Sequence, residues 1–461
     1  MITVAILTQS YPYPAGEQFL EEEIRHWART PGVQVTLLPL AANGKPRILP
    51  ANIHVDTSIA DAATRLSRAM NLLSAIVSPV FWKEALQLRK TGKLSGYSIA
   101  KALYSVMWVL TIRHGLKRCL RRSGGFDLVY CYWNDTQAYA AALLKREGAV
   151  PRLISRLHGF DLYVEQRPHG YMPLKWQFLA DFDQLYPISS QGRRYLRQTY
   201  RASLSTMHVA RLGVALPPAC AMQTDDGSLH IVSVAFCLPY KRIDRLVDAL
   251  CVVSQKRPDL RISWTHIGDG PLFEELQAYA RSRLTAGSVA WQFLGLLSNE
   301  AVRHYFATHA VDLFINSSEV EGVPVSIMEA MSFGVPVIAP DIGAVREIVS
   351  GECGVLMNNN PGPADIAGAI LAIYPKLKHA EHKRAARRAI EQHYDARRNY
   401  EGFIGQLLRD SGNFAAAMQP LTAVDVRRSE QCSIHAVEHR GQPSSCSCEI
   451  PIHAFRYSIS S

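Results

Sequence analysis

Two glutamates, a lysine and a histidine are the residues of this 461-residue chain whose types and surroundings could do chemistry. The glutamates bound one short stretch, Glu321-Gly-Val-Pro-Val-Ser-Ile-Met-Glu329. Before it, Val311-Asp-Leu-Phe-Ile-Asn316 is an apolar run of strand length, and a polar loop follows to Gly322. Pro324 suits the first position of a helix, where a missing N–H costs nothing. The N–H groups of Gly322, Val323 and Val325 would then point into the loop with the positive end of the helix dipole behind them. That is an anion site, and phosphate is its common guest. Carboxylates beside it make sense as acceptors for hydroxyls. Glu321 sits just ahead of the helix, and Glu329 about two turns in if the helix runs unbroken from the loop. A ligand with phosphates in its middle and hydroxyls at both ends fits, which describes a nucleotide sugar.

Lys241 lies in Pro239-Tyr-Lys-Arg242, ahead of Ile243, Leu246, Val247 and Leu250 at helical spacing. A cation at such a helix start can pair with a diphosphate as it leaves with extra negative charge. Taken alone, it reads equally as a solvated basic turn. His158 follows the strand pattern Arg152 to Leu157, at the rim where α/β sheets bind ligands. Taken alone, it reads as a histidine capping a turn.

The elements that position these residues alternate between strand and helix, the pattern of a parallel sheet. Around the two glutamates, Ala330-Met-Ser-Phe-Gly-Val-Pro-Val-Ile-Ala339 and Gly343-Ala-Val-Arg-Glu-Ile-Val349 complete a segment. It resembles the donor-site signature of retaining glycosyltransferases of the large group 4 family (GT4). Ser155-Arg-Leu-His-Gly-Phe-Asp-Leu-Tyr163 is similar to that family's N-domain histidine segment, and Gly268-Asp-Gly-Pro271 to one wall of its donor site. The loop Thr8 to Glu17 resembles its glycine loop, with Gly16-Glu17 where two glycines are common. The two N-terminal matches, at 11–17 and 158–163, look most like exopolysaccharide or colanic-acid-type transferases.

The resemblance implies an α/β protein of the GT-B fold, two Rossmann-like domains with parallel sheets facing a central cleft. It implies an N-terminal domain over 1–212 with a helical insert at about 60–123, and a hinge at 213–220. A nucleotide-sugar domain over 221–393 and a helix at 394–409 crossing back to the first domain complete it. Residues 410–461 match nothing and read as a poorly ordered tail. The implied roles are Glu321 on the donor sugar's hydroxyls, Glu329 on the ribose, and Lys241 with the helix N–H groups on phosphate. His158 faces the sugar from the other domain, and Gly16, Gly268 and Gly270 line the donor site. Transfer from a nucleotide diphosphate sugar, with retention, no metal and no further cofactor, is the implied activity. A lipid-linked saccharide is the implied acceptor. One departure stands out: Phe236 occupies the place of the family's usual Arg, five residues before Lys241. It motivates the alternative of a catalytically silent nucleotide-sugar binding module.

Composition narrows the rest. Length predicts two domains. A net charge of +10 suits anionic partners, but no nucleic-acid recognition motif accompanies it. Arg113-His-Gly-Leu-Lys-Arg-Cys-Leu-Arg-Arg122 holds five basic residues and no acid. It reads as dipole complementation at a helix end or as a patch on an anionic membrane surface. Six cysteines, Cys119, Cys131, Cys220, Cys237, Cys251 and Cys353, fall singly in or beside apolar segments and predict reduced, buried thiols in a cytoplasmic protein, at most peripheral to the membrane. No apolar run reaches the length of a membrane span. Asp181-Phe-Asp183 is read as structural rather than as a metal pair, and Gly268-Asp-Gly-Pro-Leu-Phe273 is no dinucleotide fingerprint.

Overall fold

Twelve short strands form two separate sheets in the computed structural model, which describes residues 1–14, 16–285 and 289–409. The first sheet contains β1 (Ile2–Thr8), β2 (Val33–Pro39), β3 (Ile53–Val55), β4 (Leu128–Cys131), β5 (Leu153–Leu157) and β6 (Gln184–Pro187). The second contains β7 (Leu229–Val234), β8 (Ile262–Ile267), β9 (Val289–Phe293), β10 (Leu313–Ile315), β11 (Val337–Pro340) and β12 (Gly354–Met357). Their orders are β3-β2-β1-β4-β5-β6 and β12-β11-β10-β7-β8-β9. Read from the third strand of each half, these are the same order, the doubly wound arrangement. Every ladder between the named strands is parallel.

The physical reason lies in the strands' composition. β4, β5, β10 and β11 are buried at every position, so both sheet faces need helical cover. Parallel pairing with helical crossovers supplies it. Two of the edge strands, β3 and β12, escape sequence reading. They are three and four residues long, too short to show a period. The helix Asn299–Thr308 is likewise missed.

The helix Ala396–Arg409 inserts Phe403, Ile404, Leu407 and Leu408 into the core of the first sheet's domain, beside Ile24, Trp27 and Tyr130. At its start the chain runs alongside the link between the sheets. Val214 donates to the Tyr394 carbonyl at 2.9 Å, and Ala396 donates to that of Val214 at 3.1 Å. Gly213 is needed there, because a Cβ would lie 2.4 Å from the Ala396 Cα.

Beneath that helix lies a buried ion pair. Arg156 of β5 donates to Glu23 at 2.6 Å, and both side chains are almost fully buried. Tyr130 and Trp27 also donate to Glu23, at 3.1 and 3.4 Å. The Arg156 guanidinium stands 4.4 Å from the Phe403 ring centroid. Read from sequence, Glu23 is one of three first-turn acids favoured by the helix dipole. The structure gives only Glu21 and Glu22 partly exposed positions.

Among the described cysteines, five are buried and Cys220 is exposed, contrary to the uniform burial expected. Cys432, Cys446, Cys448 and the tail read at 410–461 lie outside the described residues. Asp181 pairs with Arg146 at 2.7 Å and Asp183 with Lys145. No group of three or more metal-ligating side chains occurs among the described residues. No helix among them is long and apolar enough to cross a membrane.

Candidate functional site

Each singled-out residue follows the C-terminal end of a strand, where parallel sheets leave their crevice. His158 follows β5, Gly16 follows β1, Lys241 follows β7, Gly268 and Gly270 follow β8, and Glu321 follows β10. The two sheets bring these ends together. Gly159 and Gly322 meet backbone to backbone, since a Cβ on Gly159 would lie 2.9 Å from the Gly322 Cα. That contact sets the His158 loop of one domain against the Glu321 loop of the other.

Lys241 donates to Glu321 at 2.7 Å, and Asn316 donates to the same oxygen at 3.0 Å. Burial opposes ionisation of Glu321. Lys241, with Asn316 and Ser318, outweighs it and holds the carboxyl below its ordinary range. It is therefore an acceptor-only group at neutral pH. Lys241 owes its position to Arg242, whose φ of +50° turns the chain from a short 3₁₀ turn into the helix Ile243–Lys256. Arg242 itself points away, to Glu319 at 2.6 Å and Asp244 at 2.8 Å. Phe236 remains 40% exposed in the place of the missing cation.

The helix after Glu321 spans Val325–Ser332, with Pro324 extended ahead of it at φ −74°, ψ 111°. This corrects two expectations. Pro324 caps the helix rather than opening it, and Glu329 stands just over one turn in rather than two. The reason is a tether: Ala344 donates to the Gly322 carbonyl at 2.9 Å, which holds the loop extended until Val325. The N–H groups of Gly322, Val323 and Val325 donate to no group among the described residues. Gly268 and Gly270 adopt φ of +149° and +152°, and a Cβ on Gly268 would lie 1.8 Å from the Ala235 carbonyl oxygen. The loops after β7 and β8 are thereby packed against each other.

Glu329 is half-buried. Burial pushes its pKa up to about 7, Arg303 counteracts this, and Glu22 from the other domain adds to it. The neutral acid is thus favoured in the folded protein. The stability this contributes is fully present below the unfolded value of 4.5 and is lost as pH rises through about 7. Glu329→Gln is expected to remove that loss, so thermal melts of parent and variant without added donor should diverge with rising pH.

His158 is buried, with its ring 4.4 Å from Trp133 and 4.6 Å from Tyr132, centroid to centroid. Its backbone N–H donates to Asp161 at 2.6 Å, while both ring nitrogens lack a hydrogen-bond partner among the described residues. Asp161 also accepts from the Asn134 N–H at 2.7 Å, and the buried Lys175 ammonium donates to the Asn134 carbonyl at 2.9 Å. Gly16 has φ +140°, and the next residue holds a surprise. Glu17 turns inward and accepts from the backbone N–H groups of Gln9, Ser10 and Tyr11 at 2.7–2.9 Å and from Trp133 at 2.6 Å. Sequence reading missed Glu17, Lys175, Arg303 and Asn316. An acid beside a loop glycine gives no sign that it will fold back on its own loop. Arg303 sits on the helix that was not recognised.

Two Rossmann-like sheets whose loops converge on one cleft define the GT-B fold. Residues 229–375 match the family described as Glycosyl transferases group 1. The chain is 31% identical over 152 residues to sulfoquinovosyl transferase SQD2 of Arabidopsis thaliana, covering 32% of this chain and 26% of that one. It is 22% identical over 321 residues to the amylovoran biosynthesis glycosyltransferase AmsK of Erwinia amylovora, covering 63% and 75%. For four of the curated relatives the chain spans between 26% and 66% of their length. Sucrose-phosphate synthase of Thermosynechococcus elongatus shares the fold with a TM-score of 0.65 and 16% identity, over 90% of this chain and 100% of that one. Anabaena Alr3699/HepE, solved in complex with UDP-glucose, does so with a TM-score of 0.58 and 16% identity, over 89% and 100%.

Proposed function

We propose that this chain is a retaining glycosyltransferase that moves a sugar from a nucleotide diphosphate donor to the hydroxyl of a lipid-linked saccharide, in the cytoplasm, during polysaccharide assembly. The observation that carries the reading is the Lys241–Glu321 pair at 2.7 Å, in the loop that leads into a helix, where the N–H groups of Gly322, Val323 and Val325 have no described partner. A relative named as an amylovoran biosynthesis glycosyltransferase and a structural neighbour solved with UDP-glucose support it.

The ammonium of Lys241 has three N–H donors. One holds Glu321, and the others are available to the diphosphate beside the N–H groups of Gly322, Val323 and Val325. Charge that develops on the leaving phosphate is stabilised by groups already in place. Glu321, kept ionised, accepts from the donor sugar's hydroxyls, and Glu329 from those of the ribose. His158 contacts the sugar from the opposite wall. The bond from the anomeric carbon to the phosphate oxygen breaks with its electrons going to phosphate. The acceptor oxygen adds on the same face, and its proton passes to that phosphate, so no separate base is required. Closure about 213–220 and 394–396 would exclude water, because hydrolysis competes with transfer.

The test is turnover with a panel of nucleotide sugars and a polyprenyl diphosphate-linked saccharide, with the anomeric configuration of the product read by NMR. Glu321→Gln is expected to lower kcat by about 100-fold while donor affinity changes little. Unchanged kcat would remove Glu321 from the mechanism, and an inverted product would remove retention. Phe236 favours a second reading, a silent nucleotide-sugar binding module. Donor binding without release of nucleotide, across the panel, would select it.

A further inference from the structure

The helix Arg65–Val77 is built inside out. It buries only Asn71 and Ala75. Asn71 donates to Thr111 at 3.0 Å and so fastens the helix to its long neighbour, Gly96–Ser123. Leu66, Met70, Leu73 and Val77, spaced at 4, 3 and 4 residues, share the opposite face and are 61–77% exposed. Ile76 flanks this stripe. Trp82 of the next helix, Pro79–Lys90, extends it, since its indole donates to the Ile76 carbonyl at 2.8 Å and its ring is 55% exposed. Leu86, one turn on from Trp82, is exposed on that helix too. From sequence, Ala62 to Leu73 and Pro79 to Leu88 read as amphipathic helices, whose apolar side ordinarily packs inward. Burial reverses that for the first. An exposed apolar stripe of this size is unusual on a soluble surface.

Its neighbourhood is basic. Leu66 and Met70 form one wall of a groove of about 750 Å³, and Arg113, His114, Lys117, Arg118, Arg121 and Arg122 form the other. Arg113 and Lys117 pair with Glu147, and Arg122 with Asp56. Arg118 and Arg121 are exposed and have no ion-pair partner among the described residues.

We propose that this face docks on an anionic phospholipid bilayer, with Leu66, Met70, Leu73, Val77 and Trp82 entering the interfacial layer and Arg118 and Arg121 meeting headgroup phosphates. An apolar stripe beside unpaired arginines, with a tryptophan at its margin, is what such an interface recognises. The charge complementarity is one-sided: Asp61 is the single acid lining the groove. A second copy of this chain would bring the same positive charges together. Hydrogen bonds connect the elements under this face to the wall that carries His158. Glu84, buried on the inner side of the helix that carries Trp82, accepts from Tyr171 at 2.9 Å and from the Leu174 N–H at 3.1 Å. The next residue is Lys175, whose ammonium holds Asn134 behind the His158 loop. Docking would thus place the wall that carries His158 near the membrane.

The test is co-flotation of the full chain with vesicles of phosphatidylcholine alone and of phosphatidylcholine mixed with phosphatidylglycerol, at low and high salt. It uses neither donor nor acceptor, so its failure leaves the transferase reading standing. The parent protein is expected to partition onto the anionic vesicles and to release at high salt. Leu73→Glu/Val77→Glu and Arg118→Glu/Arg121→Glu are each expected to weaken partition about tenfold or more. All four side chains are exposed, so both variants should keep the parent's thermal transition, and the second pair tests the proposal should the first fail to fold. Absence of partition onto anionic vesicles, equal partition of parent and both variants, or equal binding to neutral and anionic vesicles would overturn the proposal. So would a lipid-free dimer that Leu73→Glu/Val77→Glu dissociates, which would assign the face to a second copy.

Discussion

Lys241→Ala is expected to lower kcat by roughly 100- to 1000-fold, the range for removing one preorganised donor from a developing oxyanion. Two effects combine. The leaving diphosphate loses its side-chain cation, and Phe236 nearby offers no replacement. Arg242 cannot move in, because Glu319 and Asp244 already hold its guanidinium and its backbone is turned away at φ +50°. Glu321 also loses its partner at 2.7 Å. Burial then pushes its carboxyl up, opposed only by Asn316 and Ser318. In the parent, the lowered folded pKa contributes stability that is present above the unfolded value and lost as pH falls through the folded one. In the variant that contribution shrinks, and activity should fall away at a higher pH than in the parent. Steady-state kinetics across pH, with donor affinity measured separately, would check both. A variant with parental kcat would remove Lys241 from the phosphate site.

The largest expected effect on stability is at Glu23→Ala, a loss of about 3–5 kcal/mol, as for other buried pairs broken on one side. Arg156 would keep its charge in a pocket of Tyr132, Tyr400 and Phe403 rings with no carboxylate. Tyr130 and Trp27 would lose an acceptor as well. Adding Arg156→Met is expected to restore part of the loss, since the uncompensated charge is then gone. Urea denaturation of the three proteins checks this. Because Phe403 lies on the helix Ala396–Arg409, protease cleavage after residue 393 should rise in the single variant. A loss within about 1 kcal/mol would mean that water reaches the pair and that the helix does not depend on it.

How far the site could be read from residues depends on how local each cause is. Glu321, Lys241 and His158 could be singled out because each sits in a short contiguous stretch that resembles a family motif; taken alone, Lys241 reads as a solvated turn and His158 as a turn cap. The shift of the helix start to Val325 was not legible, because the Gly322 carbonyl is held by Ala344, 22 positions away and in the next loop. Glu17 was not, because its partners are backbone N–H groups, which every sequence contains. The inward turn of Glu23 and the outward turn of Leu73 fail for one reason. An isolated helix shows which of its faces is apolar, but what buries a face is the neighbour that packs on it.

By itself, then, the sequence determined the alternation of strands and helices, the parallel sheets that follow from largely apolar strands, and the loops that carry the candidate chemistry. Those depend on periods of two and 3.6 residues and on glycine and proline punctuation, all contained within about ten residues of chain. Tertiary structure alone decided the meeting of Gly159 with Gly322, the ion pair under the last helix, and the exposure of an apolar stripe beside unpaired arginines. Each of these joins segments 40 or more residues apart, and which segments come to lie side by side is fixed by sheet order and helix packing, for which no local stretch holds a record.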